Sequence, residues 1–259
     1  MTEALSAADA GKFTASRGAV DLVEDGMRLG LGTGSTASWM VRCLAARVAR
    51  EDLTLTCVPT STRTGVLARA LGLTVVGLDD AGWLDLTIDG ADEFDPALNL
   101  IKGGGGAHLQ EKIVAAASDR MVVITDPSKD VARLGAFPLP VEVTPFGLAT
   151  TRKLIGRVLD GAAVGGRDTT VRMAGDTPFV TDEGNHIIDL RLERIDAPQD
   201  LADALLRIPG VVETGLFLGM CDTVVIGHPD GRVETRRADG SAPRFAQVDL
   251  AEAAMLPVA

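Results

Sequence analysis

Short apolar runs alternate with amphipathic stretches through the first half of the chain. The apolar runs predict strands over 27–31, 53–58, 74–76, 84–89 and 121–125. Apolar positions recurring every three or four residues predict helices over 37–48, 62–71 and 107–118. Strands alternating with helices in this way are typical of an α/β fold, in which a parallel sheet is covered by helices on both faces.

The pattern changes near the proline-rich stretch 135–147, which predicts a domain boundary. Beyond it, helices are predicted over 148–159 and 198–208, and strands over 171–173 and 186–192. Two further strands, within 208–217 and 222–227, are expected to return to the first sheet. The predicted domains are therefore 1–137 with 210–259, and a small α+β insertion over 138–209. The polar, arginine-rich tail from 229 is expected to be loosely ordered.

Composition narrows the class of protein. The chain has 259 residues and a net charge of −11, which argues against nonspecific nucleic-acid binding because that requires a basic surface. Three scattered cysteines, Cys43, Cys57 and Cys221, indicate neither a disulfide framework nor a zinc site. No signal peptide precedes the first helix and no apolar run has transmembrane length, so we expect a cytoplasmic protein without membrane contact.

The glycine-rich loop "LGLGTGSTAS" (29–38) follows the first predicted strand. It matches the dinucleotide fingerprint only weakly, with Ala37 in place of the third glycine, and it lacks the lysine of a phosphate-binding Walker loop. Ser35 and Thr36 lie where a helix begins, and backbone N–H groups there favour an anion. The alternative is a tight turn with a Ser/Thr cap on the helix.

Two further stretches contain candidate chemistry. "DGADEF" (89–94) places three carboxylates at the carboxyl end of a strand, where they would hold a divalent metal or sugar hydroxyls, or form a solvated turn. "IKGGGGAHLQEK" (101–112) places Lys102 before four glycines and Glu111 early in a helix. The alternatives are a flexible linker and a solvated glutamate opposite an apolar face formed by Leu109 and Ile113.

Together these stretches resemble the type A ribose-5-phosphate isomerase family. The resembling motifs, in family order, are "GLGTGSTA", "DGADE", "KGGGGA" followed by "EK", "DPSK" (126–129), "FPLPVEV" (137–143) and "IPGVVETGLF" (208–217). The resemblance implies a Rossmann-like parallel sheet with a smaller, ferredoxin-like α+β insertion that lies at an oligomer interface. It also implies a homodimer or homotetramer. The tail after about Glu234 extends beyond the usual end of the family.

The resemblance implies interconversion of D-ribose 5-phosphate and D-ribulose 5-phosphate through a cis-enediolate, without a metal or organic cofactor. Glu111 corresponds to the base, Lys102 to the group that stabilises the oxyanion, and Asp89 and Asp92 to carboxylates that bind hydroxyls and open the sugar ring. Lys12 and Lys129 are assigned to the phosphate. The remaining expected substrate-binding residues are Thr33, Gly34, Ser35, Thr36, Gly90, Ala91, Gly103, Gly104 and Gly105.

Other readings are weaker. A sister sugar-phosphate enzyme or a CoA-transferase-like protein should contain different catalytic motifs. A sugar-phosphate sensor should contain a helix-turn-helix. The assignment as a dehydrogenase is supported only by the weak glycine fingerprint. His108 is interpreted as incidental. Cys43 and Cys57 are expected in the core, and Trp39 and Trp83 are expected to be packing residues.

Overall fold

The computed structural model describes residues 5–257. The helices within this range are α1 (Ala7–Val20), α2 (Ser35–Glu51), α3 (Thr62–Ala70), α4 (Leu78–Ala81), α5 (His108–Ala116), α6 (Leu148–Gly161) and α7 (Pro198–Leu206). The strands are β1 (Arg28–Leu31), β2 (Thr56–Pro59), β3 (Leu86–Gly90), β4 (Glu93–Phe94), β5 (Leu100–Ile101), β6 (Met121–Thr125), β7 (Leu139–Val143), β8 (Asp168–Val171), β9 (Met173–Ala174), β10 (Thr177–Pro178), β11 (His186–Arg191), β12 (Val211–Thr214), β13 (Leu216–Phe217), β14 (Thr223–Gly227), β15 (Arg232–Arg237) and β16 (Arg244–Gln247).

The first compact unit contains residues up to Gly90, Gln110–Lys129 and the chain from Met220 onward. Its seven-stranded sheet has the order β16-β15-β14-β6-β3-β1-β2, and the five strands from β14 to β2 are parallel. The predicted mainly parallel α/β sheet is therefore confirmed. The entirely buried sequence "MVVIT" of β6 is typical of a central parallel strand, which is covered on both faces.

The core of this unit is aliphatic. α1 and α2 pack against each other, and Phe13 meets Trp39 edge to face with 5.9 Å between ring centroids. The thiols of Cys43 and Cys57 are buried in this core, as predicted, and burial raises the pKa of each to about 12. Trp83 was expected to pack, but it is 55% exposed and donates its indole N–H to Asp119.

The second compact unit contains Ala91–Leu109 and Asp130–Gly219. A four-stranded antiparallel sheet has the order β12-β7-β11-β8, and α6 and α7 connect its strands in the sequence β-α-β-β-α-β. Apolar residues of both helices share one buried cluster with the sheet. A small sheet of the order β13-β5-β4 holds the segment that contains Lys102.

Three of the strand predictions differ from the structure. The segment 208–217 does not return to the first sheet, because β12 pairs with β7 and β13 pairs with β5. The predicted strand 74–76 contains only a single bridge, between Val75 and Cys57. The predicted strand 171–173 is divided, since β8 ends at Val171 and β9 begins at Met173.

The tail is ordered, contrary to the prediction. β15 and β16 extend the first sheet as antiparallel strands, and Leu250–Met255 forms a 3-10 helix. Leu250, Ala253 and Leu256 pack against the core of the first unit. Within residues 5–257, no helix is both long and apolar enough to cross a membrane.

Candidate active site

The carboxyl ends of the parallel strands gather the candidate residues of the first unit. β1 leads into Thr33, and β3 ends at Asp89 and Gly90. A Cβ atom built on Gly90 would lie 4.0 Å from the carbonyl oxygen of Thr33. Ligands of open α/β sheets bind at this edge, so the sheet brings these residues to the expected place.

Asp89 is fully buried and its carboxylate is held by backbone donors. Oδ1 accepts hydrogen bonds from the N–H of Thr33 at 3.0 Å and from the N–H of Gly90 at 2.7 Å. Gly32 permits this approach, because a Cβ atom there would lie 2.0 Å from Asp89 Oδ1. The glycines of the loop therefore allow the backbone to surround a carboxylate.

A cluster of hydroxyl groups fixes the glycine loop. Thr33 Oγ1 lies 2.8 Å from both Thr60 Oγ1 and Ser61 Oγ, and 3.2 Å from Thr64 Oγ1. Thr64 also donates to the carbonyl oxygen of Gly32 at 3.0 Å, and Ser61 caps α3. The loop conformation is thus set by side chains from the next strand–helix connection, which the sequence analysis did not include.

The N-terminus of α2 lacks a side-chain cap. Its N-cap residue is Gly34, at φ +113°, so the alternative of a Ser/Thr cap on this helix is wrong. Ser35 is exposed and Thr36 is half-buried in the first turn. The first N–H groups of the helix are consequently not capped by a side chain, which is the arrangement that favours an anion.

Glu111 lies in the first turn of α5 and is only 4% exposed. The alternative of a solvated glutamate is therefore wrong. The predicted apolar face is also wrong, because Ile113 is 49% exposed while Val114 and Ala115 are buried. A carboxylate is costly to bury, so Glu111 is not a surface residue that serves solubility.

The two candidate phosphate lysines are half-buried in the first unit. Lys12 lies on α1, with its ammonium 3.8 Å from the Asp9 carboxylate, and Lys129 ends a 3-10 turn after β6. A Cβ atom built on Gly11 would lie 3.7 Å from the Cβ of Asp126. The stretches that contain the two lysines therefore pack against each other.

Asp92 and the glycine run belong to the second unit. Asp92 Oδ2 accepts a hydrogen bond from the N–H of Gly104 at 2.7 Å. Glu93, the third carboxylate of the acidic stretch, accepts from the N–H groups of Gly135 and Phe137 and so has a structural role. Ala91 is half-buried, and Gly104 and Gly105 are exposed.

Lys102 is 2% exposed, and its Nζ lies 5.4 Å from the centroid of the Phe217 ring. Its backbone N–H donates to the carbonyl oxygen of Gly215 at 2.9 Å. The motifs "KGGGGA" and "IPGVVETGLF" thus meet at this lysine. A cation over an aromatic face is stabilised when little water reaches it.

The glycine run is an ordered loop, so the flexible-linker alternative is wrong. Gly103 has φ +105°, and a Cβ atom on it would lie 2.7 Å from Nδ1 of His108. His108 is fully buried, with Nε2 3.8 Å from Oε2 of Glu142, and its interpretation as incidental to catalysis stays a prediction. Burial raises the pKa of Glu142, although hydrogen bonds from Asn185 and Thr181 lower it.

Arg172 is a contact of the glycine run that the sequence analysis missed. Its guanidinium pairs with Asp189 and donates to the carbonyl oxygens of Gly103 and Gly104 at 2.8 and 3.2 Å. No local motif distinguishes Arg172 from the other arginines. His108 did have a signal, its position beside the glycine run. Among the described residues, no group of three or more histidine, cysteine or acidic side chains is arranged to hold a metal ion.

Comparisons with known proteins identify the family of this chain. Residues 56–231 match the family model described as ribose 5-phosphate isomerase A (phosphoriboisomerase A). A curated protein of Cereibacter sphaeroides, ribose-5-phosphate isomerase A, is 62% identical over 250 residues, which are 96% of this chain and 95% of that protein. The chain belongs to the ribose-5-phosphate isomerase A family. It is by family an aldose–ketose isomerase, and isomerisation of ribose 5-phosphate is implied.

Solved structures give the same result. Ribose 5-phosphate isomerase A from Methanocaldococcus jannaschii is 40% identical, with a TM-score of 0.81 over 90% of this chain and 100% of that chain. A D-ribose-5-phosphate isomerase in complex with phospho-erythronic acid is 34% identical, with a TM-score of 0.82 over 90% of this chain and 100% of that one. The mixed α/β architecture is therefore that of the family.

Proposed function

We propose that this protein interconverts D-ribose 5-phosphate and D-ribulose 5-phosphate through a cis-enediolate, in the non-oxidative pentose phosphate pathway. The observation that carries the proposal is the burial of Glu111, which is 4% exposed in the first turn of α5, directly after the glycine run. A helix of ordinary surface character would leave this glutamate in water.

Glu111 acts as the general base. It removes the proton from C2 of the open-chain aldose and returns it to C1, while a hydroxyl proton passes from O2 to O1. The ketose results without any change in overall composition. Burial favours proton acceptance by a carboxylate, because the charged form loses hydration.

Lys102 stabilises the oxyanion that forms as the C2 proton leaves. Its ammonium is nearly excluded from water, where a charge interacts more strongly with a developing charge than it would in bulk solvent. The glycines at 103, 104 and 105 have no side chains, so their backbone can approach the sugar closely.

Asp89 and Asp92 bind the sugar hydroxyls and exchange protons during ring opening. Asp89 accepts hydrogen bonds from two backbone N–H groups and Asp92 from one, and these bonds orient the carboxylates before a substrate arrives. Orientation in advance lowers the entropic cost of reaching the transition state. Gly90 and Ala91 complete the substrate-binding stretch between them.

The phosphate is bound by the loop Thr33, Gly34, Ser35 and Thr36 with Lys12 and Lys129. The N-terminus of α2 without a side-chain cap and the two lysines both favour an anion. A relative was solved with phospho-erythronic acid, a compound with a phosphate and a planar, anionic carboxylate. The same two features occur in a phosphorylated enediolate, which supports a sugar phosphate as the ligand here.

The finer features of the fold belong to the same proposal. The antiparallel sheet has the order β12-β7-β11-β8, which is 4-1-3-2 in chain order and supports a ferredoxin-like insertion. Its fourth strand, β12, ends at Thr214, so the insertion extends beyond the predicted boundary at 209. The parallel sheet with its crossovers supports a Rossmann-like catalytic domain before and after the insertion. We also propose a cytoplasmic homodimer or homotetramer with its interface on the smaller domain, and a reaction that needs no metal or organic cofactor.

The test is formation of ribulose 5-phosphate from ribose 5-phosphate in the presence of EDTA, for the wild type and Glu111→Gln. We expect wild-type activity and a loss in kcat of about 10²- to 10⁴-fold in a mutant that remains folded. Full activity of the mutant would refute the assignment of the base, and an inactive wild type would refute the isomerase.

A further inference from the structure

The peptide group between Gly103 and Gly104 is held at both of its polar atoms. Its carbonyl oxygen accepts a hydrogen bond from Arg172 Nη1 at 2.8 Å, and its N–H donates to Asp92 Oδ2 at 2.7 Å. The C=O and N–H of a trans peptide point in opposite directions, so Arg172 and Asp92 lie on opposite sides of one peptide.

Arg172 is itself held in a fixed orientation. Its Nε and Nη2 donate to the two carboxylate oxygens of Asp189 at 3.0 and 2.5 Å, and its backbone N–H donates to the carbonyl oxygen of Ile187 at 2.8 Å. The remaining guanidinium nitrogen, Nη1, reaches the carbonyl oxygens of Gly103 and Gly104. A planar fork can make these contacts together, whereas the ammonium of a lysine cannot.

The glycine run needs such a constraint. Gly103 and Gly104 have no side chains that could fix their backbone by packing, and glycine loses more conformational freedom on ordering than any other residue. Gly104 also cannot be replaced without cost, because a Cβ atom on it would lie 2.7 Å from Asp92 Oδ1. The plane of this peptide is therefore determined largely by its hydrogen bonds.

We propose that Arg172, held by Asp189, is a positioning residue for the isomerisation. Through the Gly103–Gly104 peptide it turns an N–H group toward Asp92 and so fixes the carboxylate that handles the sugar hydroxyls. This inference rests on the role proposed above for Asp92. In this proposal Arg172 acts on the reaction through the Gly103–Gly104 peptide, to which its Nη1 donates.

The kinetic test compares Arg172→Met, Arg172→Lys and Asp189→Asn with the wild type. We expect kcat to fall about 10- to 100-fold in Arg172→Met while KM for ribose 5-phosphate changes less than about threefold, because misplacement affects the transition state more than ground-state binding. The matched control is Arg152→Met, which removes an exposed guanidinium that donates instead to the hydroxyl and the carbonyl oxygen of Thr169. It should retain wild-type kcat.

A spectroscopic test detects the contact between Arg172 and the Gly103–Gly104 peptide without measuring activity. In protein labelled with ¹⁵N-glycine, the amide resonance of Gly104 should move in Arg172→Met and in Asp92→Asn, and should not move in Arg152→Met. Circular dichroism and thermal unfolding verify the fold of each variant. If Arg172→Met fails to fold, a lower kcat together with a moved Gly104 resonance in both Arg172→Lys and Asp189→Asn supports the proposal.

An unchanged Gly104 resonance, or kcat within about twofold of the wild type in folded variants, overturns the positioning role and leaves the isomerase proposal intact. An inactive wild type overturns the isomerase, and the catalytic part of this inference with it. If the Gly104 resonance moves in Arg172→Met although the wild type is inactive, the contact between Arg172 and the peptide is correct and only the isomerase proposal fails.

Discussion

The carboxylate of Asp89 and the backbone N–H of Thr33 are joined by a 3.0 Å hydrogen bond. The bond links the end of β3 to the loop after β1, so the acidic stretch and the first glycine loop are parts of one local structure. Gly32 precedes Thr33, and its own N–H donates to the carbonyl oxygen of Ile88 at 2.9 Å. The glycine is thus required by the approach of a carboxylate, in addition to any approach of a ligand.

Gly32→Ala should disrupt this link. The new Cβ would lie 2.0 Å from Asp89 Oδ1 and 2.5 Å from its Cα, and a backbone atom cannot rotate away. We expect the free energy of unfolding to fall by about 3 kcal/mol, measured by urea denaturation, together with loss of activity. Gly156→Ala is the control, because α6 leaves open space there and alanine should add about 0.5–1 kcal/mol. Equal stabilities of the two variants would contradict the argument.

Lys102→Met should retain the fold and lose turnover. Methionine keeps most of the length of the side chain over the Phe217 ring but removes the charge that stabilises the oxyanion. We expect kcat to fall about 10²- to 10³-fold, measured by ribulose 5-phosphate formation. Lys153→Met, on the exposed side of α6, is the matched control and should leave kcat unchanged. A comparable loss in both variants would indicate a general charge effect.

The parallel half of the fold could be predicted because its signals are local. The strand β6 coincides with its predicted bounds, since four consecutive apolar residues and the β-branched Thr125 lie between charged residues. The partners of β7 and β12 could not be predicted in the same way. β7 lies within the proline-rich stretch taken for a boundary, and the pairing of β12 with β7 joins segments about seventy residues apart.

The residues of the candidate site also differ in whether their sequence signal is local. Asp89, Asp92, Lys102 and Glu111 lie in contiguous motifs, so the sequence alone could nominate them. Arg172 and the buried pair of His108 and Glu142 are defined by contacts between distant segments. Only the position of His108 beside the glycine run is visible in the sequence, and burial and distance distinguish Arg172 and Glu142.

Glu142 should make stability depend on pH. Burial raises its pKa above the ordinary 4.5, and Glu183 and Glu213 raise it further, whereas the hydrogen bonds from Asn185 and Thr181 lower it. The native state then retains this proton to a higher pH than the unfolded chain does. Its stabilising contribution is complete below the unfolded pKa and is lost as pH rises through the folded pKa.

Urea unfolding between pH 5 and pH 8 would measure this effect. We expect the slope from this one group to stay below about 1.4 kcal/mol per pH unit and to disappear in Glu142→Gln. Glu24→Gln, an exposed substitution, is the control. Parallel profiles for the wild type and Glu142→Gln would show that Glu142 is not the group responsible.

Removal of the chain beyond Val248 should destabilise the first unit and expose Cys43. The deletion eliminates the 2.8 Å ion pair between Arg17 and Glu252 and the packing of Leu250 and Leu256. We expect a loss of about 2 kcal/mol or more from the apolar contacts, measured by urea denaturation.

The labelling rates of the cysteine thiols measure the effect of the same truncation independently. Cys43 lines a cavity of about 300 Å³ that Glu252 and Leu256 help to close, and its burial raises the thiol pKa to about 12. In the intact chain, a thiol reagent at pH 8 should label Cys43 very slowly, because the thiolate is the reactive form. Truncation should accelerate this labelling and leave that of Cys57, whose contacts lie elsewhere in the core, unchanged. Equal acceleration at both cysteines would mean that the deletion loosens the whole unit rather than uncovering the surface of α2.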